Sequence, residues 1–185
     1  MTWGAKSSDD AIRLLVVDDE VDFVNTISER LSARDFEVTG VSSGPEAVEA
    51  ARRGGFDLAL VDLMMPEMDG IELLQILRES HQYLEVIILT AFGSIATAVE
   101  CTRLGAFDYL SKPCSLDTLL EKLRAAYANR LKTKFADDRQ RYRKIEEIVE
   151  SGPMALWQEA REDMKHRPSL LSVFRELRKL DDSKK

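Results

Sequence analysis

The sequence lacks any run of 18 or more apolar residues, so no segment of its 185 residues is built to cross a bilayer as a helix. Cysteine is scarce: Cys101 and Cys114 do not resemble a disulfide framework or a metal pair. The first ten residues have no apolar centre like that of a signal peptide and are expected to form a loose arm. Together with the cysteine usage this points to a reducing cytoplasm. Histidine is equally scarce, and neither His81, before a polar turn, nor His166, in the tail, ends an apolar run, so both read as surface residues. No glycine-rich loop follows the first apolar run, which argues against a nucleotide-binding protein. There is no internal repeat and no low-complexity segment.

What is present is enough apolar content, 44%, for one good core with an extension. The net charge of −7 is unevenly spread: residues 1–129 hold 11 Lys+Arg against 22 Asp+Glu, and residues 130–185 hold 15 against 11. An acidic body repels nucleic acid and suits a cation site. The mildly basic tail, mixed in sign, reads as a solvated helical surface rather than a nucleic-acid contact.

Apolar runs alternate with amphipathic segments. Strands are expected at Ile12–Val17, Phe36–Gly40, Leu58–Val61, Glu85–Leu89 and Phe107–Leu110. Between them the spacing predicts helices over Val21–Ala33, the segment that Ser42-Ser43-Gly44-Pro45 opens and Gly54-Gly55 ends, Ile71–Arg78 and Ile95–Leu104. A fifth helix begins at Ser115 or Leu116. Parallel strands need crossover helices, so this order is a doubly wound α/β fold around a five-stranded parallel sheet.

Four of the runs end abruptly on polar residues: Asp18-Asp19, Asp62, Thr90 and, after Tyr109-Leu110-Ser111, Lys112-Pro113. In open parallel sheets ligands sit beyond the carboxyl ends of the strands. Three carboxylates, a hydroxyl and an ammonium on one rim are chemistry for a divalent cation and a phosphoryl group. The carboxylates crowd together only if something positive sits among them. An all-oxygen donor set favours a hard ion, Mg²⁺ or Mn²⁺. Singly, each residue has a plainer reading: Asp19 a helix cap, Thr90 a structural hydroxyl, Lys112 a surface lysine. Their coincidence at four predicted strand ends on one rim is what argues for a site.

The order Asp18-Asp19, Asp62, Thr90, Lys112-Pro113 resembles the receiver domain of bacterial response regulators, over roughly Ile12 to Ala128. The Met64-Met65-Pro66-Glu67-Met68-Asp69-Gly70 loop, Ala91 after Thr90, and Gly105-Ala106-Phe107-Asp108-Tyr109 strengthen the likeness. The resemblance implies a flavodoxin-like receiver that is not an enzyme turning over a separate substrate. In it, Asp62 accepts a phosphoryl group from a histidine kinase or phosphotransfer protein. Asp18, Asp19, Asp62 and the backbone carbonyl of Met64 would bind Mg²⁺, Lys112 and Thr90 would contact phosphoryl oxygens, and Tyr109 would act with Thr90 as a switch. It also implies a cis peptide before Pro113, aiming Lys112 inward. The output would be contact with a downstream protein.

Two other functions compete. A transcriptional regulator with a reduced DNA-binding output could use the Leu170–Leu180 segment as half of a helix-turn-helix, although no winged helix or ATPase loop is recognisable. A phosphatase of the haloacid-dehalogenase kind shares the aspartyl phosphate, Mg²⁺ and lysine. It wants its nucleophile on the first strand with a second Asp two residues on, and position 64 is Met.

The expected organisation is an arm over 1–10, a receiver over 11–130 and a helical extension over 131–185. Leu116, Leu120, Leu123, Tyr127, Leu131 and Phe135 continue the last helix beyond what the sheet needs. A second stripe, Tyr142, Ile145, Ile148 and Val149, runs to the stop at Ser151-Gly152-Pro153, and two short amphipathic segments follow. A long apolar stripe asks for a cover, and a homodimer through the extended helix and tail is the expectation.

Overall fold

The computed structural model describes residues 11–91 and 93–151, with 144–151 described by backbone alone. Ten elements alternate: β1 (Ile12–Val17), α1 (Val21–Ser32), β2 (Phe36–Val41), α2 (Gly44–Arg53), β3 (Leu58–Val61), α3 (Gly70–Ser80), β4 (Glu85–Thr90), α4 (Ile95–Arg103), β5 (Asp108–Ser111) and α5 (Leu116–Ser151). The strands form one sheet in the order β2-β1-β3-β4-β5, and every neighbouring pair is parallel.

The apolar runs are explained by burial on both faces. Leu14, Val16, Leu58, Leu60, Ile87 and Leu89 pack with Val24, Ile27 and Leu31 of α1 and with Leu119, Leu120, Leu123 and Ala126 of α5. The alternate residues Leu15, Val17, Ala59, Val61, Val86 and Ile88 pack with Ala47 and Ala51 of α2, Leu73, Leu74 and Leu77 of α3, and Cys101 of α4. Both cysteines are free thiols.

Local signals fix the helix ends. The Ser43 hydroxyl accepts the Glu46 N–H, and the Asp69 carboxylate accepts the Glu72 N–H at 2.8 Å. Ser94 and Thr97 form a capping box. Gly54 closes α2 at φ +79°, where a side chain would strain the backbone. Element edges differ from the sequence expectation by a residue or two, because the hydrogen-bond ladder extends past the apolar run: Thr90 is still paired, with Ser111.

Compact packing divides the chain into one unit ending at Lys134 and another beginning at Phe135. Within α5 the core register is carried by Leu119, Leu123 and Ala126, while Leu131 and Phe135 are exposed. Among the described residues no helix is long and apolar enough to cross a membrane. The expected segments beyond Ser151, and the arm over 1–10, lie outside the described residues.

Candidate phosphoryl-transfer site

The register brings the polar strand ends to one rim. Val17 pairs with Val61 and Val61 with Ile88, so Asp18 and Asp62 leave the sheet side by side, next to Leu89 and Thr90. The Asp62 N–H donates to the Val17 carbonyl at 2.9 Å, and the Lys112 N–H to the Thr90 carbonyl at 2.8 Å, which ties the ends of β3 to β1 and of β5 to β4. The Lys112–Pro113 peptide is cis.

Lys112 is the hub. Its Nζ donates to Asp18 Oδ2 at 2.5 Å and lies 3.5 Å from both Asp62 Oδ1 and Glu20 Oε1. Asp18 is 1% exposed and Asp62 6% exposed, so both carboxylates are withdrawn from bulk water. The second Asp18 oxygen accepts the Glu20 N–H at 3.0 Å. The second Asp62 oxygen accepts the Met64 N–H at 2.6 Å, fixing the start of the 63–69 loop. That loop returns through Glu67, which takes a left-handed φ of +68°, to Gly70. A Cβ at Gly70 would run into the Asp62 carbonyl and Leu63 Cα, so any other residue there displaces the Asp62 backbone.

Burial dominates the electrostatics. It pushes the Asp18 carboxyl above the usual carboxylate range; Lys112 and the Glu20 N–H pull back, and the Asp62 charge adds to the rise. Burial also works against the Lys112 charge, but its bond to Asp18 and the charges of Asp18, Asp62 and Glu20 outweigh that and raise its pKa. The ammonium therefore stays charged, and Asp18 bears the cost of the burial.

Of the residues expected from sequence, Lys112 contacts both Asp18 and Asp62, and Thr90 lies fully buried at the end of β4. Asp19 is exposed and is not a cap: the N-cap of α1 is Glu20, which makes no side-chain cap bond. Among the described residues no group of three His, Cys, Asp or Glu side chains converges as a metal cluster, and Lys112 stands between Asp18 and Asp62 as the positive charge. The chemistry of the donors fits a hard divalent ion nonetheless. Two buried carboxylates share one ammonium, and a further cation would relieve the burial that raises Asp18.

Tyr109 on β5 packs over the sheet with its hydroxyl buried and without a hydrogen-bond partner among the described residues. Burial pushes its pKa up; Thr97, close by, lowers it in part. A Cβ at Gly93 would fall inside the Tyr109 hydroxyl, so glycine there is what admits the ring. Sequence reasoning missed Glu20, Phe23 and Gly93. Glu20 extends the acidic pair by one residue and was visible as such; Phe23 reads simply as part of the apolar face of α1, and Gly93 carries no local signal.

The comparisons agree with this geometry. The family model of the response regulator receiver domain matches residues 14–124. The transcriptional regulatory protein ZraR of Escherichia coli K12 is 39% identical over 120 residues, 65% of this chain but 27% of that protein. The acid tolerance regulatory protein ActR of Rhizobium meliloti is 31% identical over 164 residues, 87% of this chain and 84% of that protein. Among solved structures, a CheX-CheY-BeF3-Mg complex from Borrelia burgdorferi matches with a TM-score of 0.60 at 26% identity, covering 63% of this chain and 89% of that one. With a five-stranded parallel sheet, paired aspartates and lysine on one rim, and a family match over more than half its length, the chain belongs to the response regulator receiver domain family.

Proposed function

We propose that this chain is the phosphoacceptor of a two-component phosphorelay, receiving a phosphoryl group on Asp62 from a histidine kinase or phosphotransfer protein. The observation that carries the reading is Lys112 Nζ held between Asp18 and Asp62, residues far apart in sequence that meet at the carboxyl-terminal rim of the sheet, where open parallel sheets bind their ligands. An Asp62 carboxylate oxygen attacks phosphorus, the new P–O bond forms as the bond to the donor breaks, and the donor leaves with the electron pair. Lys112 meets the charge on the transferring oxygens, and the Met64 N–H holds the second Asp62 oxygen so that one oxygen faces the donor. Asp18, Asp19, Asp62 and the Met64 carbonyl would hold Mg²⁺, which when bound neutralises phosphoryl oxygens. The chain's residues assist addition and loss of the group, and no separate substrate is turned over.

The acyl phosphate adds charge and acceptor oxygens beside Thr90. Movement of Thr90 with Tyr109 would alter the surface of α4, β5 and the first turns of α5, a two-state switch biased by phosphate. Acetyl phosphate or beryllofluoride with Mg²⁺ should modify the chain and leave Asp62→Asn untouched. Stoichiometric, hydroxylamine-stable labelling of Asp62→Asn would overturn the assignment.

The receiver, over 11–130, would act through the 131–185 extension. Leu131 and Phe135 are 45% and 69% exposed, and a second copy of the chain is the cover proposed for this stripe. Sedimentation with and without beryllofluoride, for the full chain and for a truncation after Lys134, tests it; a monomer throughout would overturn the dimer. One observation favours a second reading, gene regulation through the tail: at 87% of this chain, the match to ActR must reach past residue 160. Salt-tolerant, sequence-specific duplex binding by the phosphorylated full chain would establish that output.

A further inference from the structure

The Lys112 ammonium has a neighbour that is not an oxygen. Its Nζ stands 4.1 Å from the centroid of the Phe23 ring, on the first turn of α1, well inside the range of a cation–π contact. The lysine side chain is only 12% exposed, so this contact operates where water screens little. Phe23 also lines a groove of about 440 Å³ that runs past Lys112, Pro113 and Cys114, between α1 and the start of α5.

The need for such a platform follows from the acceptors. Three carboxylates, Asp18, Asp62 and Glu20, compete for one ammonium, and the nearest contact is with Asp18, not with the acceptor Asp62, whose Oδ1 is 3.5 Å away. Left to carboxylates alone, the long lysine stem would settle on whichever oxygen lies closest. An aromatic face attracts the ammonium without accepting any of its three N–H bonds in the plane of the oxygens. An aliphatic residue would fill the same volume without the attraction, and a polar one would add a further competitor.

We propose that Phe23 is a positioning residue for phosphoryl transfer, its ring face holding Lys112 Nζ over the gap between Asp18 and Asp62 so that its N–H donors stay directed at the phosphoryl oxygens. This rests on the receiver reading. The same ring has two duties: it packs against the core beneath α1 and α5, and its face holds the lysine.

The test keeps shape constant and changes only the ring's charge distribution. In the full chain, Phe23 is replaced by 4-fluoro-, 3,5-difluoro- and 3,4,5-trifluorophenylalanine, in both the native and the Lys112→Ala backgrounds. Mg²⁺-dependent phosphorylation by acetyl phosphate is read together with the Lys112 Nζ resonance and its side-chain ring-current shift. The rate should fall stepwise with fluorination, about two- to thirtyfold in all for a contact of this class. The Lys112 resonances should move along the series, and in Lys112→Ala the dependence should vanish. A flat series, an unshifted Lys112 signal, or an equally steep series without Lys112 would overturn the role of Phe23. If the native chain is not phosphorylated at all, the receiver reading falls, and the catalytic part of this one with it; the Lys112 resonances then still decide whether the contact exists.

Discussion

The two ends of this sheet each bury a pair of carboxylates, and they treat them in opposite ways. At the amino-terminal edge, Asp57 and Glu85, both 7% exposed, are surrounded by partners. Asp57 accepts the Arg13 N–H at 2.9 Å and pairs with Arg130 at 2.8 Å. Glu85 accepts the Asn129 amide at 2.9 Å and lies 3.7 Å from Arg78. At the carboxyl-terminal rim, Asp18 and Asp62 share a single ammonium. One end is satisfied, with Arg130 and Asn129 of α5 bound to the strands; at the other, two buried carboxylates and Glu20 share one ammonium. Buried carboxylates alone therefore do not mark a site. The supply of partners separates a clamp from a candidate site.

The sharpest way to break this comparison is to exchange the consequences. Asp57→Ala should cost about 3–5 kcal/mol, because it leaves Arg130 buried without its partner. Phosphorylation of the folded fraction should be unchanged. Urea unfolding checks the first part, and a loss below about 1 kcal/mol would mean the amino-terminal edge is not a clamp. Lys112→Ala should do the reverse, slowing phosphorylation roughly 10²–10³-fold, as loss of a charge-stabilising donor does. It should also make thermal stability more dependent on Mg²⁺ than in the native chain, since Asp18 and Asp62 then lack their shared counter-charge. Melting curves with and without Mg²⁺ decide it.

Gly93 and Tyr109 test whether the carboxyl-terminal rim is coupled to β5. Gly93→Ala should cost about 1–3 kcal/mol by overpacking against Tyr109 and should move the Tyr109 ring resonances. Combined with Tyr109→Ala, that cost should disappear; persistence of the full cost would place the strain elsewhere. The smallest effect is expected from Tyr109→Phe, which removes a buried hydroxyl without a hydrogen-bond partner among the described residues and should stabilise by about 1 kcal/mol near neutral pH. The sign with pH follows from burial. The folded state holds the phenolic proton above the ordinary value of 10.0, so this group's contribution is constant below that pH and stability falls as the pH rises through it toward the raised folded value. Tyr109→Phe should lack that alkaline fall, read from urea midpoints across the range.

Much of the site was legible because its signal is a coincidence at strand ends. Apolar runs that stop on Asp18, Asp62, Thr90 and before Lys112 place those residues on one rim for any parallel arrangement of the strands. The clamp was not legible. Asp57, Glu85 and Arg130 sit at the beginnings of strands and within a helix, where a charged residue ordinarily meets solvent, and nothing local says that Arg130 in α5 reaches Asp57 at β3. Phe23 and Gly93 escaped for a related reason. An aromatic on an apolar helix face announces packing, and the ammonium it meets comes from the far side of the chain.

The sequence by itself determined the alternation of strands and helices, the parallel sheet and the rim on which the chemistry gathers, because periodicity and strand ends are local properties of the chain. Only the tertiary structure decided how charge is shared among the buried carboxylates: that Lys112 closes on Asp18 ahead of Asp62, that Phe23 lies beneath it, that Asp19 faces solvent, and that Arg130 anchors the opposite edge. Those outcomes depend on distances of a few ångströms between residues up to 94 positions apart in a medium of low dielectric, where each neighbour alters the energy of every other. Such sums are fixed by packing, and spacing along the chain does not contain them.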